Sequence, residues 1–268
     1  MKKFGFIGCG NMGGALASAV AKTVSGKDLL FCDASLEKAQ ALASKYNAQA
    51  SNDAKAVAAE CRYIFLGVKP QGFDSLFAEI SPILSKRTDR FVLISMAAGV
   101  TIARVAKLSG CDCPIIRIMP NTPVAVGEGM ILYSANEMVS EEELQTFTAS
   151  LSAAGCLDAI PEEKIDAASA VSGCGPAFVY LFAEALADGG VECGLPRDKA
   201  LLYAAQTLKG AAELLLKTGK HPGELKDAVC SPGGTTIAGV HALEDCSFRS
   251  AAMNAVTAAY ERTLELKK

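Results

Sequence analysis

The stretch Phe4-Gly5-Phe6-Ile7-Gly8-Cys9-Gly10-Asn11-Met12-Gly13 decides the fold. A short strand-type run passes straight into a GxGxxG, and a helical pattern continues from Asn11 to about Thr23. In such a loop the first glycine permits a tight turn. The second lets backbone N–H groups approach a pyrophosphate, and the third lets the helix pack closely on the strand. The helix N-terminus adds partial positive charge facing the phosphates. A lone GxGxxG is weak evidence, because glycines also serve ordinary turns. Here strand, loop, helix and a second strand at Leu29–Cys32 follow in order, and a dinucleotide loop is the better account.

Working outward, a second helical pattern runs from Ser35 to Tyr46. Tyr63–Val68 and Phe91–Ser95 are dense apolar runs, as expected of strands covered on both faces, and Pro114–Met119 and Met130–Tyr133 add two candidates. This alternation predicts a Rossmann-type α/β domain over residues 1–160, a doubly wound and mostly parallel sheet with helices on both faces. The character changes near Pro161. Residues 161–268 read as all-helical, with candidates at Glu162–Asp188, Arg197–Thr218, Thr235–Leu243 and Ser247–Leu266. Pro176 falls inside the first of these and should break or kink it. No repeat or low-complexity linker interrupts the chain.

Composition excludes several classes. Half of the 268 residues are apolar and 21% are charged, so the chain folds. A formal charge of −3, with no basic run, argues against nucleic acid or an anionic membrane as partner. The start, Met1 to Gly8, imitates a signal peptide but is broken by glycines and reads as a first strand. The longest uncharged run, Ala167–Ala183, contains two Gly and a Pro and reads as a buried or interface helix. Ten scattered cysteines without a CxxC pair, and only two His, predict reduced thiols in a cytoplasmic protein and no metal site.

Ligands of an open α/β sheet bind at the carboxyl ends of its strands. Asp33 ends the second strand, 33 − 13 = 20 residues past the third glycine, where an acid binds a ribose 2′-OH. That placement favours NAD, yet Ser35 and Lys38 could hold a 2′-phosphate, and Asp33 could instead cap the next helix. NADH and NADPH both stay open. Val68-Lys69-Pro70-Gln71 follows a strand, and Lys69 could reach a phosphate or ribose. Met96-Ala97-Ala98 offers small residues beside which a flat nicotinamide ring could lie. Asn121, between Pro120 and Pro123, suits a rigid polar contact. Each could also be only a turn; at successive strand ends, a cofactor crevice explains them together.

In the helical half, Ser172-Gly173-Cys174-Gly175-Pro176-Ala177-Phe178 allows close approach of a ring or another helix. Cys230-Ser231-Pro232-Gly233-Gly234-Thr235-Thr236 leads straight into a helix. Its free N–H groups and two hydroxyls could receive a small carboxylate, or the segment could be a plain helix cap. The run from Leu225 to Glu244 resembles the signature of pyrroline-5-carboxylate reductases. The likeness extends to FGFIGCGNMGGAL from Phe4, VKPQ from Val68, ISMAAGV from Ile94, RIMPNTP from Arg117 and SGCGPAF from Ser172, in order along the chain.

The resemblance implies hydride transfer from NADPH or NADH to the C=N bond of 1-pyrroline-5-carboxylate, giving L-proline. It implies cofactor contacts at Gly8, Cys9, Gly10, Asn11 and Met12, at Ala34 and Ser35, at Asn52, at Val68 to Gln71 and at Met96 to Ala98. Substrate carboxylate would sit on the backbone of Gly234 and Thr235 near Ser231, with the Thr236 hydroxyl by the ring nitrogen. It also implies a homodimer through the helical domain, with dimers often assembling into decamers. Asp33 departs from the less acidic residue expected of NADP-preferring members and puts cofactor choice in doubt. A protonated cyclic imine needs an oriented hydride and a carboxylate anchor, so positioning can carry most of the catalysis. A β-hydroxyacid dehydrogenase has the same plan but needs a Lys where Val179 stands. Reduction of another cyclic imino acid, and a non-catalytic nucleotide-binding paralogue, are the remaining alternatives.

Overall fold

The computed structural model describes residues 2–265; Met1 and Leu266, which the sequence reading included, lie outside them. Elements follow in the order β1 (Lys2–Ile7), α1 (Asn11–Thr23), β2 (Leu29–Cys32), α2 (Leu36–Tyr46), β3 (Gln49–Ser51), α3 (Ala54–Glu60), β4 (Cys61–Leu66), α4 (Phe73–Leu84), β5 (Val92–Ser95) and α5 (Ile102–Ser109). Then come β6 (Ile115–Pro120), β7 (Gly129–Ala135), α6 (Glu141–Ser150), β8 (Gly155–Ala159) and α7 (Ile165–Ser172). The helices α8 (Gly175–Glu192), α9 (Arg197–Thr218), α10 (Pro222–Ala228), α11 (Thr235–Asp245) and α12 (Phe248–Glu265) complete the chain.

The strands form one sheet in the order β3-β2-β1-β4-β5-β6-β7-β8. Every pairing is parallel except β6 with β7. The residues between those two strands, 121–128, are too few for the crossover that a parallel pair needs, so the chain turns back on itself. The central strands β2, β5 and β6 are buried at every position and are apolar apart from Ser95 of β5 and Arg117 of β6. One face packs Phe4, Phe6, Phe31 and Phe65 against Leu16 and Val20 of α1. The other packs Ile64 and Leu93 against Val57 of α3, Phe77 of α4 and Val105 of α5.

The doubly wound sheet and the helical second half agree with the sequence. Two strands escaped it. β3 and β8 are the sheet's edges, short and with no fully buried position, and edge strands need no apolar face on both sides. The first helical candidate does break at Pro176: α7 ends at Ser172, and the proline occupies the opening turn of α8, where its missing N–H costs nothing.

The fold class changes after β8, but compactness divides the chain elsewhere. One unit is the chain through Gly173 together with the stretch from Tyr260 on; the other is Cys174–Ala259. α7 therefore belongs with the sheet. Ile165 packs on Met119 and Leu132, and Asp166 pairs with the buried Arg117 of β6. Within the second unit, α8 and α9 pack through Ala187, Ala200 and Ala204, while α11 and α12 bury none of their residues. Glu162–Glu192 is long and apolar enough to cross a membrane by length and composition alone; the turn at Gly173-Cys174 interrupts it.

Candidate active site

The crevice lies where β1, β2 and β4 end. Gly8 adopts φ +98°, and a side chain there would press on the Gly67 carbonyl carbon and oxygen at 2.7 Å. A methyl group on Gly13 would overlap the Gly8 carbonyl oxygen, so α1 can approach β1 only with glycine at that position. Gly10 is different: a methyl there meets nothing within 4 Å. It faces open space and is the N-cap of α1, which carries no side-chain cap. The first N–H groups of α1 thus remain for a ligand. This cradle fits a dinucleotide pyrophosphate.

The crevice has a volume of about 870 Å³, the size of a cofactor site. Of the predicted contacts, Gly8, Gly10, Asn11, Met12, Gly13, Asp33, Ala34, Asn52, Val68 and Lys69 line it together. Cys9, Ser35, Pro70, Gln71, Met96, Ala97, Ala98 and Asn121 do not. Cys9 turns its thiol to the Cys32 carbonyl at 3.5 Å. Burial first, then the charges of Asp33 and Cys32, push that thiol up to about 12, so it stays protonated and is no nucleophile. Ala97 is buried in the core, while Ala98 is exposed. Asn121 spends its carboxamide on the scaffold: Nδ2 donates to Ser172 O and Oδ1 accepts from Met130 N–H, both at 2.9 Å.

Asp33 is not a helix cap. Oδ2 accepts the Cys9 N–H at 2.8 Å and Oδ1 accepts the Ser35 N–H at 3.0 Å, while the N-cap of α2 is Ser35. Gly67, Ser75, Leu76 and Glu79 also line the crevice; the sequence places Gly67 within the run Tyr63–Val68 but assigns none of the four to the site. The signal for Gly67 was its place directly after an apolar strand. That for the other three was an apolar period at Phe73, Leu76, Phe77, Ile80 and Leu84, masked by Pro82.

In the second unit, Gly233 takes φ +65° and turns the chain into α11. Gly234 caps that helix without a side-chain bond. Its N–H donates to Ser231 O at 3.0 Å, closing the turn ahead of the helix. The open donors are the N–H groups of the first turn, starting with Thr235 and Thr236. Ser231, Thr235 and Thr236 are exposed in the single chain. Both His make local contacts on their own helices. His221 caps α10 by accepting the Gly223 N–H at 3.1 Å, and His241 sits 3.3 Å from Asp245 one turn along α11. Among the described residues no group of three or more His, Cys, Asp or Glu could hold a metal ion.

Comparison with known proteins adds the decisive observation. Residues 162–266 match the model of the family described as pyrroline-5-carboxylate reductase dimerisation, and residues 3–99 match NADP oxidoreductase coenzyme F420-dependent. The pyrroline-5-carboxylate reductase of Escherichia coli K12 is 40% identical over 270 residues, covering 100% of this chain and 99% of that one. The chain belongs to the pyrroline-5-carboxylate reductase family. The Arabidopsis thaliana member is 42% identical, with 99% of this chain and 96% of the relative covered. The Plasmodium falciparum pyrroline carboxylate reductase, solved with NADP bound, superposes with a TM-score of 0.88 at 34% identity, covering 100% of this chain and 98% of that one. The Coxiella burnetii pyrroline-5-carboxylate reductase superposes at 0.91 and 32% identity, covering 100% and 99%. Family membership thus spans both the sheet unit and the helical unit.

Proposed function

We propose that this chain reduces 1-pyrroline-5-carboxylate to L-proline with NADPH or NADH. The observation that carries the reading is full-length identity of 40% to a reductase of that name, together with an open glycine cradle at Gly10. When bound, the dinucleotide supplies a hydride to the ring carbon of the C=N bond. The protonated nitrogen becomes the amine, so a substrate that arrives as the iminium needs no further acid.

The protein's part is binding and orientation. Gly10, Asn11 and Met12 offer backbone N–H groups to the pyrophosphate, and Lys69 offers a cation. The first turn of α11 receives the substrate carboxylate on the N–H groups of Thr235 and Thr236, and the Thr236 hydroxyl orients the ring nitrogen. Ser231 shapes the turn by accepting the Gly234 N–H.

The helical unit functions as the contact of a homodimer, and dimers assemble further. Its single chain exposes Tyr180, Leu181, Leu214, Leu216 and Met253, with Leu216 80% exposed. Apolar surface on this scale marks an interaction face, and the matching family model is a dimerisation domain. A cytosolic location is part of the same reading, supported by the cysteine spacing.

Product analysis tests the reaction. The expected result is one L-proline formed per coenzyme oxidised, identified by chiral chromatography. Coenzyme oxidation without proline would overturn it.

A further inference from the structure

We infer that Asp33 makes this chain select NADH over NADPH. The inference rests on the reductase reading above and assigns a specificity-determining residue within the same crevice.

Asp33 is the first residue after β2 and lines the crevice with Ala34 and Asn52. The strand order β3-β2-β1-β4 sets these residues on one side of the glycine loop and Lys69 on the other. Lys69 is the only cation among the lining residues, and the acids are Asp33 and Glu79. Lys38 and Ser35, which could have received a 2′-phosphate, are not in the lining. Ser35 moreover gives its N–H to Asp33.

The two backbone bonds fix the carboxylate. Each oxygen takes one N–H, from Cys9 or from Ser35. A carboxylate oxygen has two lone pairs, so one on each oxygen remains to accept a ribose hydroxyl. A 2′-phosphate offers only acceptors and negative charge at that point. The carboxylate cannot swing aside without leaving the Cys9 and Ser35 N–H groups unpaired, and the second of these opens the turn into α2. Rejection is therefore built in as fixed charge, alongside the favourable hydroxyl contact.

The experiment compares kcat/KM for NADH and NADPH in the full-length wild type and in Asp33→Ser, with 1-pyrroline-5-carboxylate as substrate. Wild type should favour NADH by roughly tenfold or more, the yield of one charge-assisted hydrogen bond. The preference should lie in the coenzyme KM, because the ribose is remote from the reacting carbon. Asp33→Ser should narrow the ratio by about the same factor. Because Asp33 also braces the loop, a wild-type measurement accompanies the variant: competition against NADH by ADP and by adenosine 2′,5′-bisphosphate. ADP should compete more tightly. Equal use of the two coenzymes, a preference for NADPH, or equal competition by the two fragments would overturn the inference. Silence with both coenzymes would count against the reductase reading, while displacement of bound NADH by the fragments would still decide Asp33.

Discussion

The Arg117 guanidinium donates to the Asp166 carboxylate at 3.0 Å, with the two side chains 1% and 4% exposed. Arg117 also reaches Glu162 at 3.1 Å, and Glu162 accepts the first N–H of α5 from Ile102 at 2.8 Å. One buried cation therefore joins β6, the opening of α5 and the start of α7. Removing Asp166 leaves the buried Arg117 with the partly exposed Glu162 as a carboxylate partner. Asp166→Ala should cost about 3–5 kcal/mol of stability, read from chemical denaturation. A loss within the ordinary surface range would show that the pair is not a fastener.

Glu143 gives the stability a defined pH dependence. Its buried side chain accepts Arg90 Nε at 2.7 Å, Arg90 Nη2 at 2.9 Å and the Ser140 N–H at 3.0 Å. Burial pushes the carboxyl up, but the Arg90 guanidinium and the Ser140 backbone outweigh it and hold the carboxyl below its usual range. A value depressed in the folded state gives stability that is complete above the unfolded value and fades as pH falls through the folded one. Arg90→Ala should destabilise at neutral pH by roughly 1–3 kcal/mol. The gap to wild type should close below about pH 4. Thermal midpoints across acid pH check this, and a gap that persists unchanged in acid contradicts it.

The glycine loop separates fold from binding. Gly13→Ala should fail to fold or melt far below wild type, because its methyl meets the Gly8 carbonyl. Gly10→Ala should keep the wild-type melting temperature, because its methyl meets nothing. It should nevertheless weaken coenzyme binding by roughly tenfold or more, since the methyl occupies the place of a phosphate. Melting curves and coenzyme titration on the two variants distinguish the roles. Equal damage to melting in both would contradict the assignment.

Thr236→Ala should lower turnover by about tenfold, the loss of one orienting hydrogen bond, while coenzyme binding survives. Single-turnover rates beside coenzyme titration provide the check. Unchanged turnover would remove Thr236 from the chemistry.

Much of this was legible in the sequence, for reasons visible in particular residues. Phe4–Gly13 and the apolar central strands announced the sheet because both of its faces are covered, and Pro176 marked the break before α8. The edge strands β3 and β8 were silent because an edge makes little demand on composition. Helix α4 was hidden by Pro82, and with it Ser75, Leu76 and Glu79 of the crevice. Arg117 is a charge within an otherwise apolar strand, and its partners Glu162 and Asp166 lie far along the chain, so only the fold brings them together. Asn121 has a side chain suited to a ligand, and only the fold shows its carboxamide spent on Met130 and Ser172. The bond from Gly234 N–H to Ser231 O likewise shows only in the fold, because it depends on the turn at Gly233.

The most direct test of the central claim is coenzyme absorbance followed on mixing purified protein with 1-pyrroline-5-carboxylate and NADH or NADPH in turn. The account predicts rapid oxidation that depends on the imine and stops when it is exhausted. No oxidation with either coenzyme, from folded protein that binds dinucleotide, would contradict it.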